Sequence, residues 1–157
     1  MNLTIDIDEF NDNNIIFMEP VKNTVMDDSN FIRILYSNSL LTLSGIFIKI
    51  KLNLINMDKY FNKFKCSFEI SKNKFIIDNL SLIETKILEK INIYNKTSCK
   101  KIQEQLSSGN IKLFTDIMSS NIPENFIIKI SGIWETEFEY GLTYKFMDIP
   151  NHQLRKI

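Results

Sequence analysis

Large apolar residues recur at every second position twice within residues 126–148. Phe126, Ile128, Ile130 and Trp134 fall on one side of a first run, and Leu142, Tyr144 and Phe146 on one side of a second. Lys129 and Ser131, then Thr143 and Lys145, fall on the opposite sides. Period-two spacing predicts half-buried strands, and the polar, acidic connection between them predicts a β-hairpin. Its inner face is expected to anchor the core, with Trp134 and Tyr144 as core residues rather than as exposed rings.

The same alternation predicts strands over 31–36 and 42–52, the latter bent or bulged at Gly45. Residues 53–58 read as a loop, 65–70 as a strand, 71–73 as a turn, and 74–80 as a strand closing a second hairpin. The period then changes. Leu80, Ile83, Ile87, Ile91 and Tyr94 recur at helical spacing, and Ser81 with Glu84 matches a capping box at the helix start. A second helix is expected over 96–108, with Cys99, Ile102 and Leu106 buried and Gly109 in the left-handed cap position. A short strand over 111–114 and a linker over 119–125 lead back to the first hairpin.

Strands at both ends around a helical block define an α+β fold. The order predicts a curled, mostly antiparallel β-barrel, OB-like, with a central insertion of two helices. Residues 1–30 read as an acidic, partly ordered N-terminal arm, 31–149 as one barrel domain, and 150–157 as a short tail.

Composition narrows the classes of function. At 157 residues and 44% hydrophobic content the chain forms one domain with a proper core. Cys66 and Cys99 do not make a disulfide framework, which favours an intracellular, reduced protein. No secretory signal stands at the start, and no apolar run approaches the roughly 18–20 residues of a membrane span. No membrane partner is expected. His152 is the sole histidine, in the tail, and the cysteines lack metal-ligand spacing. Glycine-rich phosphate cradles are missing. Glu135, Glu137 and Glu139 alternate along the hairpin connection and read as a solvated acidic loop. The chain is expected to be no enzyme and to use no cofactor.

Formal charge is zero, so local charge carries the information. Within 1–30, seven carboxylates stand against Lys22 alone, a segment that would compete with a polyanion for a basic face. The predicted strand faces turn Arg33, Phe47, Lys49, Lys51, Lys129 and Lys145 outward. Over 49–74 the balance is +5, and Lys59, Tyr60, Lys63 and Lys65 there interleave cations with rings. Single-stranded nucleic acid, DNA in the first instance, calls for that pairing: ammonium groups track phosphates while rings stack on bases. The alternative is a viral structural or assembly protein acting through a protein partner or as a homo-oligomer, by strand pairing. Strand lysines also serve solubility alone.

The segments FIRILYSNSLLTLSGIFIKI (31–50) and FIIKISGIWETEFEYGLTYKF (126–146) resemble stretches of small proteins of large nucleocytoplasmic DNA viruses. The absence of alanine and abundance of Asn, Ile and Lys agree with an AT-rich genome of that kind. Such viruses encode OB-fold single-stranded-DNA-binding proteins, and the resemblance implies that fold, a role in DNA replication, and a place in the host cytoplasm, viral factory or virion. It assigns no site residues.

Overall fold

The computed structural model describes residues 2–114, 122–149 and 154–156, which form an α+β fold of one mixed sheet and two helices. The N-terminal third supplies β1 (Asn2–Asp6), β2 (Ile15–Phe17), β3 (Val21–Lys22), β4 (Asn30–Ser37), β5 (Thr42–Leu43) and β6 (Ile46–Lys51). A hairpin of β7 (Leu54–Tyr60) and β8 (Lys63–Phe68) leads into α1 (Lys74–Ile91). Then come β9 (Thr97–Cys99), α2 (Lys101–Ser107), β10 (Asn110–Leu113), the long β11 (Asn125–Glu135) and β12 (Glu139–Asp148), and β13 (Leu154–Lys156).

The main strand path runs β13-β1-β6-β11-β12-β10-β8-β7. It has two ends, so the sheet is not closed into a barrel among the described residues. The β11–β12 hairpin is its centre, as the alternation over 126–148 predicts. β11 pairs with β6 over Asn125–Ile130 and with β4 over Gly132–Glu135. β4 in turn carries β2, β3 and β5.

The changeover sits at an irregularity between Ile130 and Gly132, where the register with β12 shifts. An extra residue in one strand of an antiparallel pair reverses the facing of all that follows. Ile130 and Ile133 are therefore both buried, three positions apart. Trp134 turns to the face opposite Phe126, Ile128 and Ile130. The core placement expected for it is corrected by this one inserted residue.

One hydrophobic cluster joins the inner sheet face to the helices. Ile46, Ile48, Ile50, Phe126 and Phe146 meet it from the strands, and Leu80, Ile87, Leu88, Ile102 and Leu106 from α1 and α2, all at most 2% exposed. Burying each such side chain contributes about 1.5–3 kcal/mol.

Several expected elements differ. Residues 74–80 are the opening turns of α1, not a strand, because Ile77 and Leu80 belong to the helical stripe that continues through Ile83 and Ile87. Buried Asn73 fixes that start: its amide oxygen accepts from the Asn53 amide at 2.8 Å and its amide nitrogen donates to the Glu69 carbonyl at 2.9 Å. Ser81 lies inside the helix and donates to the Ile77 carbonyl instead of capping. Residues 54–60 form edge strand β7 rather than a loop, and 97–99 pair with β12 before the shorter second helix begins. Gly109 follows α2 at φ 78°, and its amide closes on the Leu106 carbonyl as a cap.

The N-terminal segment is woven into the sheet: β1 pairs in parallel with β6 and β13, and Thr4, Ile5 and Ile15 are buried. Within the expected acidic N-terminal arm, β1, β2 and β3 are thus strands of the sheet. Residues 154–156 are strand, not a frayed tail, and His152 lies outside the described residues.

Candidate functional site

Away from the helices, the registers align a row of side chains across adjacent strands. Phe47 on β6 pairs with Lys129 on β11, and Lys129 pairs with Lys145 on β12. Leu113 on parallel β10 pairs with Phe146, so one residue back Lys112 comes beside Lys145. Lys112 pairs with Lys65 on β8, and Lys65 with Asp58 on β7. Lys129, Lys145, Lys112 and Lys65 thus occupy four successive strands. At about 4.8 Å between strands the row spans roughly 14 Å.

None of the four makes an ion pair among the described residues. Like charges directly opposite one another in a sheet work against folding. Among the described residues the carboxylates beside these cations stand at the margins: Asp58 opposite Lys65, Asp6 beside Lys49, and Glu124 at 3.6 Å from Lys51.

Aromatic rings border the row. The Lys129 ammonium lies 5.4 Å from the centre of the Phe47 ring. The Lys63 ammonium lies 4.7 Å from the Phe114 ring, which is 55% exposed. Tyr60 pairs across from Lys63 and meets Phe61 edge-on, both rings exposed at the β7–β8 turn. Phe61 holds φ at 54°, a left-handed conformation that costs a bulky residue about 1–2 kcal/mol.

Of the residues singled out from sequence, Phe47, Lys49, Lys51, Tyr60, Lys63, Lys65, Lys129 and Lys145 share this outer face. Arg33 joins it farther along, opposite Gly132, with its guanidinium donating to the Ser44 hydroxyl at 2.9 Å. Lys59 stands at the margin: it pairs across from Phe64, whose ring packs on the core, yet it lines one groove with Tyr60, Lys63, Lys65 and Lys112. Lys112 and Phe114 were not singled out from the sequence. Alternation in 111–114 marks both as outward, but only the pairing of β10 with β12 and β8 puts Lys112 between Lys145 and Lys65 and Phe114 beside Lys63.

Trp134 also belongs to this face. Its indole atoms fill the space a Cβ on Gly141 would take, 2.7 Å away, and Phe31 ring atoms do the same over Gly132. The two rings pair across strands and line a groove of about 520 Å³ with Arg33 and Thr143, walled on one side by residues 21–26.

Several other polar groups are held by contacts within the chain. Glu84 on α1 is fully buried, and its two carboxylate oxygens accept from the Ile102 and Gln103 amides at 2.9 Å, capping α2. Burial raises its pKa, and the two amides pull it back. Tyr144 donates to Gln105 Oε1 at 2.6 Å, and burial, with the Glu84 and Glu104 charges, pushes its phenol up to about 12. Burial, with Asp148 nearby, pushes the Cys66 thiol up to about 12, far from a reactive thiolate. Glu135 is taken by Lys96 at 3.1 Å. Asp6, Asp8 and Glu9 bring carboxylate oxygens within 4.8 Å of one another, the one such grouping among the described residues, with Asp8 and Glu9 exposed. No helix among the described residues is long and apolar enough to cross a membrane.

Comparison with protein-family models, with curated proteins and with solved structures found no match.

Proposed function

We propose that the chain binds single-stranded nucleic acid, DNA in the first instance, across the outer sheet face, without catalysis or cofactor. The observation that carries this reading is the unpaired lysine row on β11, β12, β10 and β8. Four ammonium groups with no ion pair among the described residues, only Lys65 having a carboxylate opposite it, weaken the sheet they stand on, and a polyanion would remove that repulsion. Phe47, Phe114 and Tyr60 at the margins offer the ring surfaces that bases stack on. An open sheet serves this as well as an OB-like barrel, and the reading does not depend on closure.

Titration of a labelled 20-nucleotide oligo-dT, followed by fluorescence anisotropy at increasing salt, tests it. Four neutralised phosphates give a log–log slope of roughly −3 for a single strand. Undetectable binding at low salt, or a slope near zero, overturns the reading.

The exposed edge of β7 favours a second reading, as a structural or assembly protein. Ile55 there is 63% exposed, and the strand ends the sheet path, a surface on which another chain can add a strand. Concentration-dependent association that Ile55→Lys abolishes, together with absent oligonucleotide binding, would favour it.

A further inference from the structure

We infer that the groove formed by Trp134, Phe31 and Arg33 seats one unpaired base of a strand whose phosphates lie on the lysine row. This rests on the nucleic-acid reading above and adds a second, chemically different contact to it.

β12 serves as the ruler, because its alternation is unbroken where β11 shifts register. Lys145, Thr143 and Gly141 point to the same side, and the Trp134 indole stands over Gly141. Four residues of strand separate the lysine row from the indole by roughly 14 Å. Both features therefore open on one face, with Thr143 and Arg33 between them.

The rings are set before any ligand arrives. Glycine at 132 and 141 lets the Phe31 and Trp134 rings sit against the backbone, where any Cβ would collide with them. A ring already held in place loses little freedom on binding. Arg33 is held too, by Ser44 and by the Phe31 ring 5.8 Å from its guanidinium carbon. Residues 21–26 line the groove as well, with Val25 94% exposed and Met26 40% exposed, so apolar side chains there are open to a ligand. An apolar slot with a cation at its rim suits a base attached to a phosphate. The adjoining lysines select an anionic chain over a neutral or basic one.

The protein contains one tryptophan, so its emission reports on this groove alone. The full chain is titrated with unlabelled 20-nucleotide oligo-dT and with an abasic strand of equal length, and anisotropy of labelled oligo-dT is read in parallel. Expected are saturable quenching by oligo-dT, at the affinity that anisotropy gives, and none by the abasic strand. Trp134→Ala weakens oligo-dT binding by about ten-fold or more, with the salt slope unchanged, and Trp134→Phe restores most of it. The phenylalanine variant also serves if alanine unfolds the chain, as circular dichroism would show. Anisotropy that registers binding while the emission stays constant and Trp134→Ala binds as wild type overturns the groove assignment and leaves the lysine row standing. Absence of any oligonucleotide binding overturns both. Quenching by aromatic peptides but not by oligo-dT reassigns the groove to a protein partner.

Discussion

The two faces of the central hairpin are built from alternate residues of the same strands, yet they treat charge in opposite ways. On the helix side, the buried polar groups are matched one to one. Glu84 meets two amides, and Asn73 uses its oxygen and its nitrogen. No buried side-chain nitrogen or oxygen among the described residues lacks a hydrogen-bond partner. On the outer side, four lysines stand next to one another with no ion pair among the described residues, and Asp58, opposite Lys65, is the carboxylate at the end of the row. Interspersed signs would keep a sheet soluble with less repulsion. The inner face is satisfied within the chain, whereas the outer row makes no ion pair among the described residues, and the partner proposed for it would supply the missing charge.

Reversing the row tests that contrast most severely. The quadruple variant Lys65→Glu, Lys112→Glu, Lys129→Glu and Lys145→Glu should lose oligo-dT binding by on the order of 100-fold or more. Its circular dichroism should still show a folded chain, with some loss of stability because Lys65→Glu sets a second carboxylate opposite Asp58. Unchanged affinity in anisotropy would separate the row from binding.

The inner face should respond in the reverse sense. Glu84→Gln leaves one of the two α2 amides facing an NH2 group, and should lower unfolding free energy by about 1–3 kcal/mol in urea titrations. Oligonucleotide affinity should stay as it is for the folded fraction. The pH dependence has a definite sign. A carboxyl whose folded pKa is raised contributes stability that is complete below its ordinary pKa and lost as pH rises through the raised value. The variant lacks this limb, so its deficit should be larger near about pH 4 than near about pH 8.

A single swap sets fold stability and the proposed binding against each other. Lys145→Glu places a carboxylate between Lys129 and Lys112 and should stabilise the fold by about 0.2–1 kcal/mol. The same variant should lower the salt slope by about 0.7 or more. Loss of stability in thermal melts would mean that the lysines are not repelling one another. The smallest effect is expected at the hairpin tip. Phe61→Gly relieves the left-handed strain and should stabilise by about 1 kcal/mol while weakening binding only a few-fold.

Legibility in the sequence followed the range of the interactions involved. The hairpin at 126–148 was readable because each strand buries one face, and alternation records that directly. The outward setting of Phe47, Lys49, Lys129 and Lys145 came from the same pattern. At 74–80 the pattern misled: Phe75, Ile77 and Leu80 suit a short strand until the helical stripe beyond them is counted in. Ser81 and Glu84 have the right spacing for a cap, but the carboxylate reaches the next helix, which spacing within one segment does not encode.

Alternation alone therefore determined which residues of β4, β6 and β8 face the core, because burial on one side of a strand is a local, period-two demand; in β11 it marked Phe126, Ile128 and Ile130 but not Ile127, which is buried on the other side. Tertiary structure decided the rest. The register shift after Ile130 reversed Trp134, and the parallel seating of β10 against β12 inserted Lys112 into the row. Both depend on which strand lies alongside, and a strand's neighbour is chosen by packing across the whole sheet rather than by its own residues.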